Sequence, residues 1–204
     1  MAKVWKNVVV FMGSTRENRL CERVTAFIVG KLKEKNLNVT VVDPKEFVLP
    51  LLTKPVHFYR SPEEPPKQLV EMDKKILESD AIVVVSGEYN HCIPPGLTNT
   101  MDYFGPKSFA NKPSGIVTYS PSNVAGARAG VQLRSLLGEL GCISVSNMFA
   151  IPRAHKALTE NGVPQETEEG SHMDSAVGKL LTQLEWWANA AKSHREAATN
   201  NTQF

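Results

Sequence analysis

The sequence predicts a doubly wound α/β domain, a single parallel sheet with helices on both faces. Three observations carry this. Apolar, β-branched runs at 8–12 and 81–85 are too uniform for strands with one wet face and suit strands buried on both sides. Apolar residues at helical spacing separate the strands, so five strands alternate with five helices. The length of 204 residues suits one such domain, given ~150 residues as a common domain size. For five strands the order 2-1-3-4-5, with right-handed crossovers, is favoured over the six-stranded dinucleotide-binding order.

The first strand, Asn7–Met12, breaks at Gly13. Leu20, Val24, Phe27, Ile28 and Leu32 then form the stripe of an amphipathic helix that ends near Lys35 and Asn36. Residues 38–43 make a second short strand, and the proline-containing stretch 44–66 reads as a long loop with little regular structure. Leu69, Met72, Ile76 and Leu77 mark a second helix before the strand at 81–85. Pro94 or Pro95 opens a third helix through Tyr103, because proline is tolerated in a helix's first turn. Residues 114–119 form a fourth strand. Leu133, Leu136, Leu137 and Leu140 lie on one face of the next helix, closed by Gly141, and 143–147 is the fifth strand. A second long loop covers 150–170. Ser171 with Asp174 then gives a capping signature for a last helix striped by Met173, Val177, Leu180, Leu184, Trp187 and Ala191. Residues 1–192 thus read as one domain and 193–204 as a flexible polar tail.

Composition narrows the function. With 42% hydrophobic and 22% charged residues, the chain is neither disordered, collagenous nor a disulfide scaffold. No apolar run approaches the ~20 residues of a membrane span, and the run after Lys3 and Lys6 is shorter than the ~7 residues of a signal h-region. Three cysteines without a C-x-x-C pair suit a reducing compartment, so a cytoplasmic protein with no membrane partner is expected. The net charge of +2 comes from dispersed Lys and Arg, which disfavours nucleic acid. Five histidines show no H-E-x-x-H spacing, and no G-x-S-x-G occurs, so neither a metal site nor a hydrolase elbow is expected.

In the order 2-1-3-4-5 the chain reverses between strands one and three, and a crevice opens beyond their carboxyl ends. The loop after strand one, Gly13-Ser14-Thr15-Arg16-Glu17-Asn18-Arg19, leads into a helix N-terminus, a natural anion site. Ser14, Thr15, Arg16 and Arg19 add donors suited to a terminal phosphate. The loop lacks the G-x-G-x-x-G fingerprint, and the chain has no P-loop Gly-Lys-Ser/Thr. After strand three, a planar ligand can stack on Tyr89 of Ser86-Gly87-Glu88-Tyr89-Asn90-His91-Cys92. After strand four, Ser120, Ser122 and Asn123 offer donors, with small residues near Gly126. Three loops converge on one flat phosphorylated ligand, for which FMN is the economical candidate.

These residues resemble the NADPH-dependent FMN reductases of the flavodoxin-like superfamily. The resemblance rests on Gly13-Ser14-Thr15-Arg16 with Arg19, on Glu88-Tyr89-Asn90 followed by Pro94-Pro95-x-Leu97-x-Asn99 and Asp102, and on Gly126-Ala127-Arg128 with Gln132-Leu133-Arg134. It covers roughly residues 8–147 and looks close to the eukaryotic and bacterial quinone-, azo-dye- and chromate-reducing members. It implies a flavodoxin-like fold with FMN held by Ser14, Arg16, Arg19, Glu88, Tyr89, Asn90, Ser120 and Gly126. It further implies NADPH as donor, a small-molecule electron acceptor, and a homodimer or homotetramer with the third helix near the contact. Gly87 stands where the family often has proline.

A flavin performs the difficult step, so no nucleophile or general base is required. The resemblance implies a ping-pong cycle in which NADPH and a quinone-like, azo or flavin acceptor use the crevice in turn. Glu88 in a turn more often makes a structural salt bridge than a proton donor, and Cys92 reads as packed. The alternatives are a flavodoxin-type electron carrier, usually acidic where this chain has a pI of 8.4, and a redox-sensing FMN-binding interaction protein. Arg60, Lys107, Lys112 and Arg128 all stand as partners for the 2′-phosphate of NADPH.

Overall fold

A computed structural model describes residues 4–60 and 63–200. Strands β1 (Asn7–Met12), β2 (Asn38–Val42), β3 (Ala81–Ser86) and β4 (Pro113–Tyr119) are parallel. With β5 (Ile143–Ser144) they follow the order 2-1-3-4-5, and β6 (Phe149–Ile151) also pairs with β4. The uniform apolar runs have a direct cause. Val8, Val10 and Met12 point into one core and Val9 and Phe11 into the other, and β3 alternates likewise with Val83 and Val85 against Ile82 and Val84. Helices α1 (Cys21–Glu34) and α8 (Met173–Asn200) cover the first face. Helices α2 (Lys67–Leu77), α3 (Pro95–Asp102), α4 (Pro106–Phe109) and α5 (Ala127–Glu139) cover the second. Gly141, at φ 89°, closes α5 as the sequence suggests.

The expected fifth strand at 143–147 is two short strands. Ile143 and Ser144 pair with Pro113 and Ser114, and Phe149–Ile151 pairs with Val117, Thr118 and Tyr119. Arg134 separates them by donating to the carbonyls of Val145 (3.1 Å) and Ser146 (2.7 Å), while Asn147 N donates to Gln183 (2.8 Å). The stretch 150–170 is likewise more ordered than expected. It holds the end of β6, helix α6 (Ala154–Ala157), a Leu158–Pro164 bridge and helix α7 (Glu168–Ser171). Ser171, expected to cap the last helix, is instead the last residue of α7, its hydroxyl donating to Glu168 O, and α7 itself starts from Thr167, whose Oγ1 accepts from Gly170 N at 3.0 Å. Glu168 and Glu169 in the first turn favour that earlier start.

Among its described residues the loop 44–66 contains one 3₁₀ turn, Val56–Phe58, and is tied to α3. Asn99 accepts from Leu52 N (2.8 Å) and donates to Pro50 O (2.9 Å), and Val56 N donates to Tyr103 O (2.8 Å). Of the segment expected to form a tail, helix α8 includes the backbone as far as Asn200, and 201–204 lie outside the described residues. None of the described helices is long and apolar enough to cross a membrane.

Candidate functional site

The carboxyl ends of β1, β3 and β4 surround a cavity of ≈ 200 Å³ at the point where the chain reverses. Its walls bring together Ser14, Arg16, Arg19, Glu88, Tyr89 and Ser120. Asn90 and Gly126 lie beside this wall rather than in it.

The β1–α1 loop begins by extending the sheet, with Gly13 N donating to Val85 O at 2.8 Å. A Cβ at Gly13 would sit 2.9 Å from Ser86 Oγ, so the close approach requires glycine. Arg19 then folds inward. Its Nη1 donates to Ser14 O (2.5 Å) and Asp43 Oδ1 (2.7 Å), Nη2 to Asp43 Oδ2, and Nε to Glu22 (3.1 Å). Burial disfavours the Arg19 charge, but Asp43 and Glu22 outweigh it and raise the pKa above the ordinary value. This guanidinium shapes the loop. Arg16, in contrast, is exposed and lies over the Tyr89 ring, 3.7 Å from its centroid. The backbone N–H groups of Thr15, Glu17, Asn18 and Leu20 make no hydrogen bond among the described residues. Arg16 N makes only a long one, 3.4 Å to Ser14 Oγ. A run of free donors beside an unpaired guanidinium, ahead of a 14-residue helix, is what a phosphate requires.

The loop after β3 turns tightly. Tyr89 N donates to Cys92 O (3.0 Å) and Cys92 N to Tyr89 O (2.9 Å), with Asn90 at φ 49° and His91 at φ 66° between them. Two central residues in the left-handed region define a type I′ hairpin, for which asparagine is well suited and histidine much less so. The Tyr89 hydroxyl meets Ser14 Oγ at 2.5 Å, joining the first two loops. Glu88 is a structural anchor, as its setting in a turn suggests. Its carboxylate accepts from Arg128 N (2.9 Å), Ala129 N (3.4 Å) and Arg128 Nη1 (2.5 Å). Burial pushes its pKa up, but the Arg128 guanidinium and these two amides hold it below the ordinary value. The glycine at 87 also has a reason here. A Cβ would stand 3.2 Å from the hydroxyl of Tyr119, a buried ring that the sequence did not single out.

Ser120 builds the third loop. Its Oγ accepts from Ser122 N (3.1 Å) and Ala125 N (3.0 Å) and donates to Ser122 O (2.8 Å). Gly126, at φ 72°, is the left-handed residue that opens α5. Of the basic residues considered for a nucleotide phosphate, Lys107 and Lys112 precede β4 and so lie at the opposite end of the sheet. Arg128 stands at the cleft end, bound to Glu88.

Fold and cleft together define a flavodoxin-like protein whose switch-point loops gather amides unbonded among the described residues, an exposed arginine and a tyrosine ring around one cleft. The model of the family described as NADPH-dependent FMN reductase matches residues 6–156, and the chain belongs to that family. A quinone reductase of Escherichia coli K12 is 27% identical over 182 residues, covering 85% of this chain and 90% of that protein. The NAD(P)H-dependent FMN reductase LOT6 of Saccharomyces cerevisiae is 27% identical over 177 residues, covering 78% and 87%. Among solved structures, FerB, a flavoenzyme NAD(P)H:(acceptor) oxidoreductase from Paracoccus denitrificans, superposes with a TM-score of 0.69 at 21% identity, covering 88% of this chain and 97% of that one. That last likeness bears on the fold alone. Membership makes the protein an FMN-dependent NAD(P)H oxidoreductase. The residues present fit FMN, with free amides and Arg16 for a phosphate and Tyr89 beside them for a ring.

Proposed function

We propose that the protein passes electrons from NADPH to quinone-like, azo or flavin acceptors, donor and acceptor using the cleft in turn in a ping-pong cycle. The observation that carries this reading is the set of unpaired donors at Thr15, Glu17, Asn18 and Leu20, next to Arg16 and Tyr89. In this reading the free amides and Arg16 bind the FMN phosphate, and Arg19 holds their loop against Asp43. Tyr89 offers its ring as a shelf, Asn90 sets the turn, and Ser120 and Gly126 shape the facing loop. FMN, when bound, supplies the two-electron chemistry. Glu88 is an anchor with its carboxylate held ionised, so it delivers no proton. The names of the Escherichia coli and Pseudomonas putida relatives, both quinone reductases, favour quinones as acceptors.

Self-association through α3 is part of the same proposal. Leu51, 83% exposed, and Phe58, 58% exposed, stand on the loop tied to that helix, an apolar surface suited to a second copy. Purified protein loaded with FMN should oxidise NADPH steadily when a benzoquinone is present. Flavin that is reduced only by a protein donor would instead favour an electron carrier.

A further inference from the structure

We infer that Gln132 is a positioning residue, strapping the ring-facing turn to α5; the inference rests on the flavin reading above. The turn holds two consecutive non-glycine residues in the left-handed region, Asn90 and His91, a conformation that persists where surroundings enforce it. The Tyr89–Cys92 pair fixes the type of turn but not its place, and Asn90, His91 and Cys92 are all exposed, Cys92 contrary to the packed thiol expected from the sequence. The backbone of the turn is placed from α5, while Ser14 meets only the far end of the Tyr89 side chain. Gln132 Nε2 donates to His91 O at 2.9 Å, and its Oε1 accepts from Ile93 N at 3.2 Å, so one amide grips the chain on both sides of Cys92. One helical turn earlier, Arg128 and Ala129 hold Glu88 just ahead of Tyr89. Residues four apart share a helix face, so Arg128 and Gln132 act as two ends of one clamp with the tyrosine between them. Arg134, two residues further on, serves the β5–β6 break instead, which makes it a comparison on the same helix.

The test compares Gln132→Leu, Gln132→Glu and Arg134→Met with the unaltered protein, reading the dissociation constants of FMN and riboflavin, the visible absorption of the bound flavin, and the melting temperature. Gln132→Leu should weaken FMN and riboflavin by the same factor, roughly tenfold, because the phosphate site is untouched. It should also shift the visible band of the bound flavin. Gln132→Glu, which keeps the acceptor for Ile93 N–H, should fall between. Arg134→Met should lower the melting temperature and leave the band in place. Unchanged dissociation constants and band in Gln132→Leu overturn the inference, as does an equal band shift in Arg134→Met. Flavin binding by the unaltered protein shows separately that the site reading stands; a failure there removes both.

Discussion

Replacing Arg19 by methionine tests whether the first loop is held from beneath. The Arg19 side chain is 3% exposed and its partner Asp43 14%. Methionine would retain most of the apolar contact but leave the Asp43 carboxylate without its counter-ion and Ser14 O without its 2.5 Å donor. Removing one partner of a buried pair typically costs ~3–5 kcal/mol. Asp43 keeps some solvent and the 2.9 Å bond from Lys45 N, which places the expected loss near the lower end, ~3 kcal/mol. At ~2–4 °C per kcal/mol for a domain of this size, the melting temperature should fall by about 6–12 °C. Thermal unfolding followed by circular dichroism without added flavin measures it. Arg16→Ala, which removes an exposed guanidinium, is the control and should melt within ~2 °C of the unaltered protein. An Arg19→Met variant that melts as the control does would show that the Asp43 pair does not hold the loop.

Arg16→Ala should raise the dissociation constant of FMN about tenfold while scarcely changing that of riboflavin, as equilibrium titration of the flavin's fluorescence can show; equal losses for both flavins would move Arg16 away from the phosphate. Lys112 gives a prediction about pH. Its Nζ donates to Leu77 O at 3.0 Å, and burial, with Arg195 nearby, pushes its pKa down to about 8. In the unfolded chain it titrates near ~10.4, so between these values the unfolded state binds the extra proton and the stability contribution of Lys112 rises with pH. Urea unfolding at pH 7 and pH 10 should therefore show Lys112→Met losing ground to the unaltered protein by on the order of 1–3 kcal/mol at the higher pH. A difference independent of pH would contradict the burial argument. Cys142, which burial pushes up to about 12 against the pull of Lys112, titrates with the opposite sign; losing Lys112 removes that pull, and the folded thiol stays protonated at pH 10 in both proteins.

What the sequence made legible was whatever depends on local pattern. β1, β3 and β4 are buried on both faces, so the apolar runs 8–12 and 81–85 declare themselves, while β4 buries Ser114 and Thr118 as well. The glycine and serine after β1, and the tyrosine turn after β3, follow from the same punctuation. What stayed hidden depends on partners distant in the chain. Glu22, three positions on, is the one local feature that sets Arg19 apart from Arg16; Asp43, 24 positions on, draws Arg19 inside and leaves Arg16 over Tyr89. The break between β5 and β6 is likewise fixed by Arg134 from the preceding helix, although Ser146 and Asn147, both turn-forming residues, already mark it. Ser171 begins a capping pattern, and only the short helix Glu168–Ser171, started from Thr167, takes it out of that role. Gln132 was visible as part of a motif, but its grip on His91 and Ile93 appears only once α5 lies against the turn.

The most direct measurement is the ratio of the riboflavin and FMN dissociation constants, since the two ligands share the tricyclic ring and differ in the phosphate. Two or three charge-assisted bonds from the β1–α1 loop should make FMN bind at least ~100-fold more tightly. Equal affinity for the two flavins would contradict the phosphate site on which the account is built.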